Sequence, residues 1–276
     1  MNMTDLKQLI QIAFEEDVGE GDITTEAIVS SDQKGRAEIR AKQNLVVAGL
    51  EIGKQVFRDL DSKIAWEHRA IEGECVPAGT VVATIFGSLA TLLKGERVAL
   101  NFLQRLSGIA TLTHQFVAAV AGTNAVILDT RKTTPGWRAL EKFAVRVGGG
   151  NNHRFGLFDR YLIKNNHIAA AGSIQKAIEK VLEKRKGDFL VEVEVRNLEE
   201  LKQALAFPID VILLDNFSFQ DIEQAVQLTQ KKVKLEVCGG VTLETVARTA
   251  ATGVDFISIG ALTHSAPAAD LHMIIL

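Results

Sequence analysis

Proline is scarce in this sequence, with four in 276 residues, and no long polar tract accompanies it. A disordered chain or a proline-rich linker is therefore excluded. Cysteine is rarer still. Cys75 and Cys238 lie far apart and neither belongs to a CxxC pair, which argues against a zinc site and a disulfide scaffold. Two unpaired thiols suit a reducing cytoplasm. Positive charge is not in excess: 31 basic residues face 34 acidic ones, for a net charge of −3. That balance speaks against a general nucleic-acid binder. No repeat of fixed period occurs. Asp5, Lys7, Glu15, Glu16 and Asp17 argue against an apolar secretory segment near the start.

One stretch lacks charge. Residues 106–128 contain no Asp, Glu, Lys or Arg and are long enough to cross a bilayer. Ser107, Thr111, Thr113, His114, Gln115, Thr123 and Asn124 interrupt it, however, and Gly122 breaks it. Leu106, Ile109, Ala110, Phe116, Val117 and Val120 recur at helical spacing, so one face is apolar and the rest tolerates water. The segment reads as a buried helix followed by a strand, with no membrane span.

What is present is ample apolar material, 47% of the chain, with an ordinary 24% of charged residues. At a prior of about 150 residues per domain, the length allows one or two domains. In the first hundred residues, Leu6, Leu9, Ile10, Ala13 and Phe14 predict an amphipathic helix. Short strands follow at 37–41, 45–47, 63–68 and 81–86, with a helix at 50–60 between the second and third. Strands grouped around few helices indicate an α+β domain. From about residue 97 the rhythm becomes strand then helix. Strands are expected at 125–129, 161–164, 189–195, 211–215, 233–237 and 256–259, with helices at 137–147, 173–184, 198–206, 219–228 and 243–251. Such units imply parallel strands with crossover helices, either closed as a barrel or left open. No G-x-G-x-x-G follows the first strand, which favours the barrel.

In a barrel the C-terminal ends of the strands carry the chemistry. Here those ends read Asp129-Thr130-Arg131-Lys132, Lys164-Asn165-Asn166-His167, Glu192-Val193-Glu194, Asp215-Asn216, Cys238-Gly239-Gly240 and Gly260-Ala261-Leu262. Residues 130–167 carry a net charge of +6, which leaves −9 for the rest. A basic patch in an acidic protein concentrates anionic ligands. Arg138, Lys142 and Arg146 read as the solvated face of one helix, whereas Arg131, Lys132, Arg154 and Lys164 sit at strand ends or in a loop, where ligand groups gather. Gly148-Gly149-Gly150 exceeds what a helix cap needs and would let backbone approach a ligand. Glu192 and Glu194 alternate on one strand and share a face, and with Asp215 they offer sparse oxygen ligands of the kind that hold Mg²⁺ together with substrate phosphates. A local lysine partner is an equally good reading of Glu192. The turns at Gly239-Gly240 and after Gly260 suit either a phosphate or an ordinary chain reversal. Cys238 reads as a packed residue rather than a nucleophile.

Taken together, several segments resemble the quinolinate phosphoribosyltransferase family. They are Glu96-Arg97-Val98-Ala99-Leu100-Asn101, Leu106-Ser107-Gly108-Ile109-Ala110-Thr111, Asp129-Thr130-Arg131-Lys132-Thr133, Gly148-Gly149-Gly150-Asn151-Asn152-His153-Arg154 and Leu162-Ile163-Lys164-Asn165-Asn166-His167. Glu192-Val193-Glu194-Val195, Leu213-Leu214-Asp215-Asn216-Phe217, Gly260-Ala261-Leu262-Thr263-His264-Ser265 and the run from Glu16 to Thr24 match as well. The resemblance implies an N-terminal α/β sandwich domain over 1–110, an α/β barrel of parallel strands over 111–265, and a tail, 266–276, that returns to the first domain. It implies a homodimer or a multiple of one, and conversion of quinolinate and phosphoribosyl pyrophosphate, with Mg²⁺, to nicotinate mononucleotide, pyrophosphate and CO₂. By motif position, Arg131, His153, Arg154 and Lys164 would hold the two quinolinate carboxylates, with Arg97, at the beginning of a helix, supplied by a neighbouring subunit; Thr130 would also bind substrate. Lys132, between the two substrates, and Glu194 and Asp215, facing ribose and Mg²⁺, would be catalytic; the Gly239-Gly240 and Gly260-Ala261 turns would meet the 5′-phosphate, with Cys238 and Leu262 beside them as substrate-binding residues. The family usually has Ser where this chain has Cys238.

Overall fold

The computed structural model describes residues 3–276, and none of their helices is long and apolar enough to cross a membrane. The chain forms two compact units. The first gathers residues up to 114 with 139–149 and 265–276, and the second holds 115–138 and 150–264. The helix over 138–147 thus belongs almost wholly to the first unit, although it lies between barrel strands in sequence.

In the first unit, β1 (Lys34–Ala41), β2 (Leu45–Val46), β3 (Ala65–His68), β4 (Cys75–Val76) and β5 (Val81–Ser88) form two antiparallel sheets. The C-terminal strand Leu271–Ile275 joins the larger sheet by pairing with β1, Ala37 opposite Ile275 and Ala41 opposite Leu271. Ala37, Ile39 and Ala41 alternate on one buried face, as a strand's period of two requires. The helix Leu50–Leu60 buries Leu50, Ile52, Val56 and Phe57. Beside it runs the helix Leu89–Ala119. Its start differs from the sequence expectation, since Arg97 lies two turns inside this helix rather than at its beginning. Gly95 is internal to it, and the Phe57 ring fills the space a side chain would take: a Cβ there would come 2.6 Å from Phe57 Cδ1. Ser107 on the same helix accepts the Ala48 N–H at 3.0 Å and pins the chain that enters the helix 50–60.

The second unit is built on six parallel strands, β6 (Val126–Leu128), β7 (Tyr161–Ile163), β8 (Val191–Val195), β9 (Val211–Asp215), β10 (Lys234–Cys238) and β11 (Phe256–Ser258). Their spatial order is β6-β11-β10-β9-β8-β7, which is a barrel order opened between β6 and β7. Asn151 partly covers the free edge of β6: its N–H donates to Ile127 O at 2.8 Å and its carbonyl accepts from Asp129 N at 3.1 Å. Register alternates the faces. Val191, Val193, Val195, Ile212, Leu214, Leu235, Val237 and Ile257 are buried on the side where the crossover helices pack. Leu162, Glu192, Glu194, Leu213, Glu236 and Ser258 point the other way. Side-chain oxygens of Ser173, Asn197 and Ser218 cap the helices Ile174–Lys184, Leu198–Ala204 and Phe219–Thr229.

Within the triple glycine one residue closes a helix, as the sequence led us to expect, and another has a packing use that the sequence did not announce. A Cβ on Gly148 would lie 2.4 Å from Ala110 O and 2.7 Å from Thr113 Cβ, so this glycine lets two helical segments of the first unit touch. Gly149 sits at φ +90°, the left-handed conformation that closes a helix. Gly148→Ala is expected to destabilise the protein by about 1–3 kcal/mol through overpacking. Urea unfolding of wild type and variant checks this, and an unchanged midpoint would contradict the packing assignment.

Candidate active site

The strand ends of the second unit enclose a cavity of about 490 Å³. Thr130, Arg131 and Lys132 reach it from the end of β6, His153 and Arg154 from the loop after Asn151, and Lys164 from the end of β7. Glu194, Asp215, Cys238 and Ser258 line it from β8, β9, β10 and β11, and Glu236 and Leu213 lie one step down their strands. The positions of Glu194, Leu213, Asp215, Glu236, Cys238 and Ser258 follow from strand register, because residues of one face stack side by side across parallel neighbours.

The cations in and beneath the cavity include paired and unpaired ones. Lys164 Nζ lies 2.8 Å from Glu194 Oε2, and Arg160 lies 3.2 Å from Glu192 Oε2. Arg131 and Arg154 have no carboxylate partner among the described residues, and Arg131 Nε is buried without any hydrogen bond. Burial, and then the charge of Arg131, lower the pKa of Arg154. Two guanidinium groups held this way are an incomplete constellation that an anion completes.

Below them lies a buried acid pair. Glu192 and Glu236 have no exposed surface, and His153 Nε2 stands 3.1 Å from Glu192 Oε2 and 3.4 Å from Glu236 Oε1. Ser258 Oγ donates to Glu236 Oε1. Burial works against the charge of Glu192, but the bonds and charges of His153 and Arg160 outweigh it and hold the carboxyl below its usual range. Glu236 is pushed up by burial and by the charge of Glu192. Burial lowers the His153 pKa, yet the two acids overcome it and carry the value to about 9. Against that pull, His153 Nδ1 accepts the Arg154 N–H at 2.7 Å. This bond places the ring proton on Nε2, and a second proton at Nδ1 enters only by breaking it. Both nitrogens of His153 are thus engaged by protein atoms, so a ligand carboxylate reaches this ring only by exchanging one of those bonds.

At the mouth, Glu194 and Asp215 end adjacent strands, and the pKa of Asp215 is raised by burial and then by the charge of Glu194. Two hard carboxylate oxygens in mutual repulsion, with Lys164 and Lys132 also acting on Asp215, form a donor set that fits Mg²⁺ shared with a phosphorylated ligand. The acids around His153 fit it less well, because the Arg160 guanidinium already stands 3.4 Å from His153 Nε2 and balances the charge there. Gly239 and Gly240 follow at φ +99° and +62°, with a Cβ on Gly239 colliding with Asn216 Oδ1 at 2.2 Å. Successive N–H groups in such a turn make a concavity for an anion. Gly260 precedes the short helix Ala261–His264, where Leu262 is fully buried and Thr263 Oγ1 donates to Lys132 O at 2.7 Å. Burial raises the Cys238 thiol pKa, which keeps it protonated and a poor nucleophile. Arg97 is exposed on a helix of the first unit.

Three contributors escaped the sequence reading. Glu236 and Ser258 lie on the inward face by register, a signal present in the alternation of Lys234-Leu235-Glu236-Val237-Cys238 once the pairing with β8 and β9 is known. Arg138 is the third. The expected solvated face of its helix is largely absent, since Lys142 is 2% exposed and only Arg146 of the three basic residues is exposed. Arg138 instead turns back to the loops of the cavity, donating to Thr133, Phe155 and Arg131.

Parallel strands whose ends enclose a cation-rich cavity define an enzyme site for a small anionic substrate. Comparison with known proteins narrows the class. The family model described as "Quinolinate phosphoribosyl transferase, N-terminal domain" matches residues 22–107, and the one for the C-terminal domain matches 109–274. The chain therefore belongs to the quinolinate phosphoribosyltransferase family. It is 44% identical over 273 residues to the probable nicotinate-nucleotide pyrophosphorylase [carboxylating] of Bacillus subtilis, covering 99% of this chain and 94% of that protein. It is 41% identical over 288 residues to a quinolinate phosphoribosyltransferase [decarboxylating] of Nicotiana glauca, covering 98% and 82%. The solved nicotinate-nucleotide pyrophosphorylase of Francisella tularensis superposes with a TM-score of 0.94 at 39% identity, over 100% of this chain and 98% of that one.

Proposed function

We propose that the protein transfers the phosphoribosyl group of phosphoribosyl pyrophosphate to the ring nitrogen of quinolinate, with loss of CO₂, giving nicotinate mononucleotide and pyrophosphate in NAD biosynthesis. The observation that carries the reading is the un-neutralised pair Arg131 and Arg154, one of them with a buried, unpartnered Nε. Quinolinate is a dianion with adjacent carboxylates, and planar guanidinium groups accept carboxylates in bidentate fashion. Thr130 and Lys164 stand within the same cavity as further donors, and His153 braces Arg154 from behind.

Displacement of pyrophosphate builds positive charge on the ribose carbon, which Glu194 and Asp215 stabilise electrostatically from the opposite wall. Glu194 and Asp215 would hold Mg²⁺, which when bound would supply neutralisation of the leaving group's charge. Lys132 lies between the two substrates and adds a positive charge toward the pyrophosphate. The backbone turns at Cys238-Gly239-Gly240 and Gly260-Ala261-Leu262 receive the 5′-phosphate. Once the ring nitrogen is alkylated, the ring draws electrons, the adjacent carboxylate leaves as CO₂, and a proton takes its place on carbon. No covalent enzyme intermediate is needed, in keeping with the protonated Cys238 thiol. The working place is the cytoplasm, where unpaired Cys75 and Cys238 stay reduced.

With quinolinate, phosphoribosyl pyrophosphate and Mg²⁺, the protein is expected to release CO₂ and nicotinate mononucleotide, with nicotinate a far poorer substrate. Arg131→Ala or Arg154→Ala should raise KM for quinolinate roughly thirtyfold to several-thousandfold, since losing one partner of a desolvated charged contact costs about 2–5 kcal/mol. Preferred turnover of nicotinate, or arginine variants with wild-type KM, would contradict the assignment.

The site is completed by a second copy of the chain. Exposed Arg97 is the residue supplied in trans, and the assembly is a homodimer or a multiple of one. Inactive Arg97→Ala and inactive Lys164→Ala chains then have complementary defects. Random remixing should restore roughly a quarter of wild-type activity, by twofold counting. No recovery, despite demonstrated subunit exchange, would remove Arg97 from the neighbour's site.

A further inference from the structure

Arg138 makes no ion pair among the described residues, yet all three of its guanidinium nitrogens donate. Nε donates to Thr133 Oγ1 at 2.9 Å, one terminal nitrogen to Phe155 O at 3.1 Å, and the other to Arg131 O at 3.3 Å. Two of these acceptors belong to the loop that carries Arg131, and the third is the carbonyl of the residue that follows Arg154. A single planar group therefore spans the two loops whose side chains form the un-neutralised pair. Each loop is also tied elsewhere. Asp159 accepts the N–H groups of Phe155 and Gly156 at 2.6 and 3.0 Å, and Thr263 holds the Lys132 carbonyl at 2.7 Å. Deeper down, Asp129 accepts the His153 N–H at 2.8 Å, and Arg138 joins the outer parts of the same two loops through the Phe155 carbonyl.

We infer that Arg138 is a positioning residue that fixes the spacing between Arg131 and Arg154, and thereby selects a ligand with two adjacent carboxylates. The inference rests on the proposed reading of the cavity as a quinolinate site. Its physical basis is simple. Two like charges on separate loops repel, so the loops spread unless something holds them. Arg138 carries its own positive charge, but three of its five N–H donors, one on each nitrogen, are directed at Thr133 Oγ1, Phe155 O and Arg131 O, so its fork is oriented by the two loops that it joins. A lysine has one point charge and no fixed fork, so it cannot span the same three acceptors.

The test uses the full-length protein and three variants, Arg138→Ala, Arg138→Lys and Thr133→Val, with quinolinate, its 2,6-dicarboxylate isomer and nicotinate as calorimetric probes. In wild type, quinolinate should bind at least tenfold more tightly than the 2,6-isomer. Arg138→Ala and Arg138→Lys should raise KM for quinolinate at least tenfold, leave KM for phosphoribosyl pyrophosphate within about twofold, and collapse the isomer preference. Thr133→Val, which removes one acceptor and no charge, should shift both readouts in the same direction by less, and it keeps the test alive should Arg138→Ala fail to fold. Methylguanidinium in millimolar excess should partly restore the isomer preference of Arg138→Ala. Variants that lose thermal stability or active fraction while keeping wild-type KM and isomer preference would overturn the positioning role. Wild-type protein that binds no quinolinate would instead overturn the substrate reading itself.

Discussion

The guanidinium groups of Arg131 and Arg154 stand close enough that the charge of one lowers the pKa of the other, and no carboxylate among the described residues pairs with either. A protein left to minimise its own energy would place an acid there. Acids stand nearby but pair with other groups: Glu194 with Lys164 in the cavity, and beneath it Glu192 with Arg160 and His153, while Asp215 ends β9 without pairing with either arginine. In the function we propose, the electrostatic energy that it costs to hold the pair open would be returned by a bound dianion. Parallel strand ends make the arrangement possible because their register fixes backbone positions without help from side chains.

The buried layer beneath explains why the pair does not collapse. Asp129, itself fully buried, accepts the His153 N–H at 2.8 Å, and the His153 ring accepts the Arg154 N–H. The same ring rests on Glu192 and Glu236, with Ser258 donating to Glu236. The position of Arg154 is thus traceable through His153 to residues on β8, β10 and β11. A buried charged cluster is weak evidence for stability, since desolvation offsets much of the attraction. Its clearer consequence here is that one loop conformation is specified, with the Arg154 backbone anchored from inside and, through Phe155, by Arg138.

Local patterns in the sequence were enough to locate the strands of the second unit to within a residue or two, because β-branched runs between amphipathic helices admit few other readings. The alternation in Val191-Glu192-Val193-Glu194-Val195 likewise revealed that both acids share a face. What stayed hidden depended on neighbours distant in sequence. Gly148 reads as part of a run that lets backbone approach a ligand until Ala110 is placed against it, and nothing local announces that Gly95 meets the Phe57 ring. Glu236 looks like a lone charge until parallel pairing brings it beside the His153 ring. Helical periodicity assigned Arg138 to solvent, but the first residue of a helix is free to reach back to the preceding loop, and here it does. The pairing of β1 with the last strand joins segments some 230 residues apart, and no local pattern announces it.

A crystal structure of the protein with quinolinate bound tests the central claim most directly. The account predicts both ring carboxylates within hydrogen-bond distance of the Arg131 and Arg154 guanidinium groups, with the Asp129–His153–Arg154 backbone contacts unchanged. Quinolinate bound elsewhere in the cavity, with either arginine turned toward Glu194 or Glu192 instead, would contradict it.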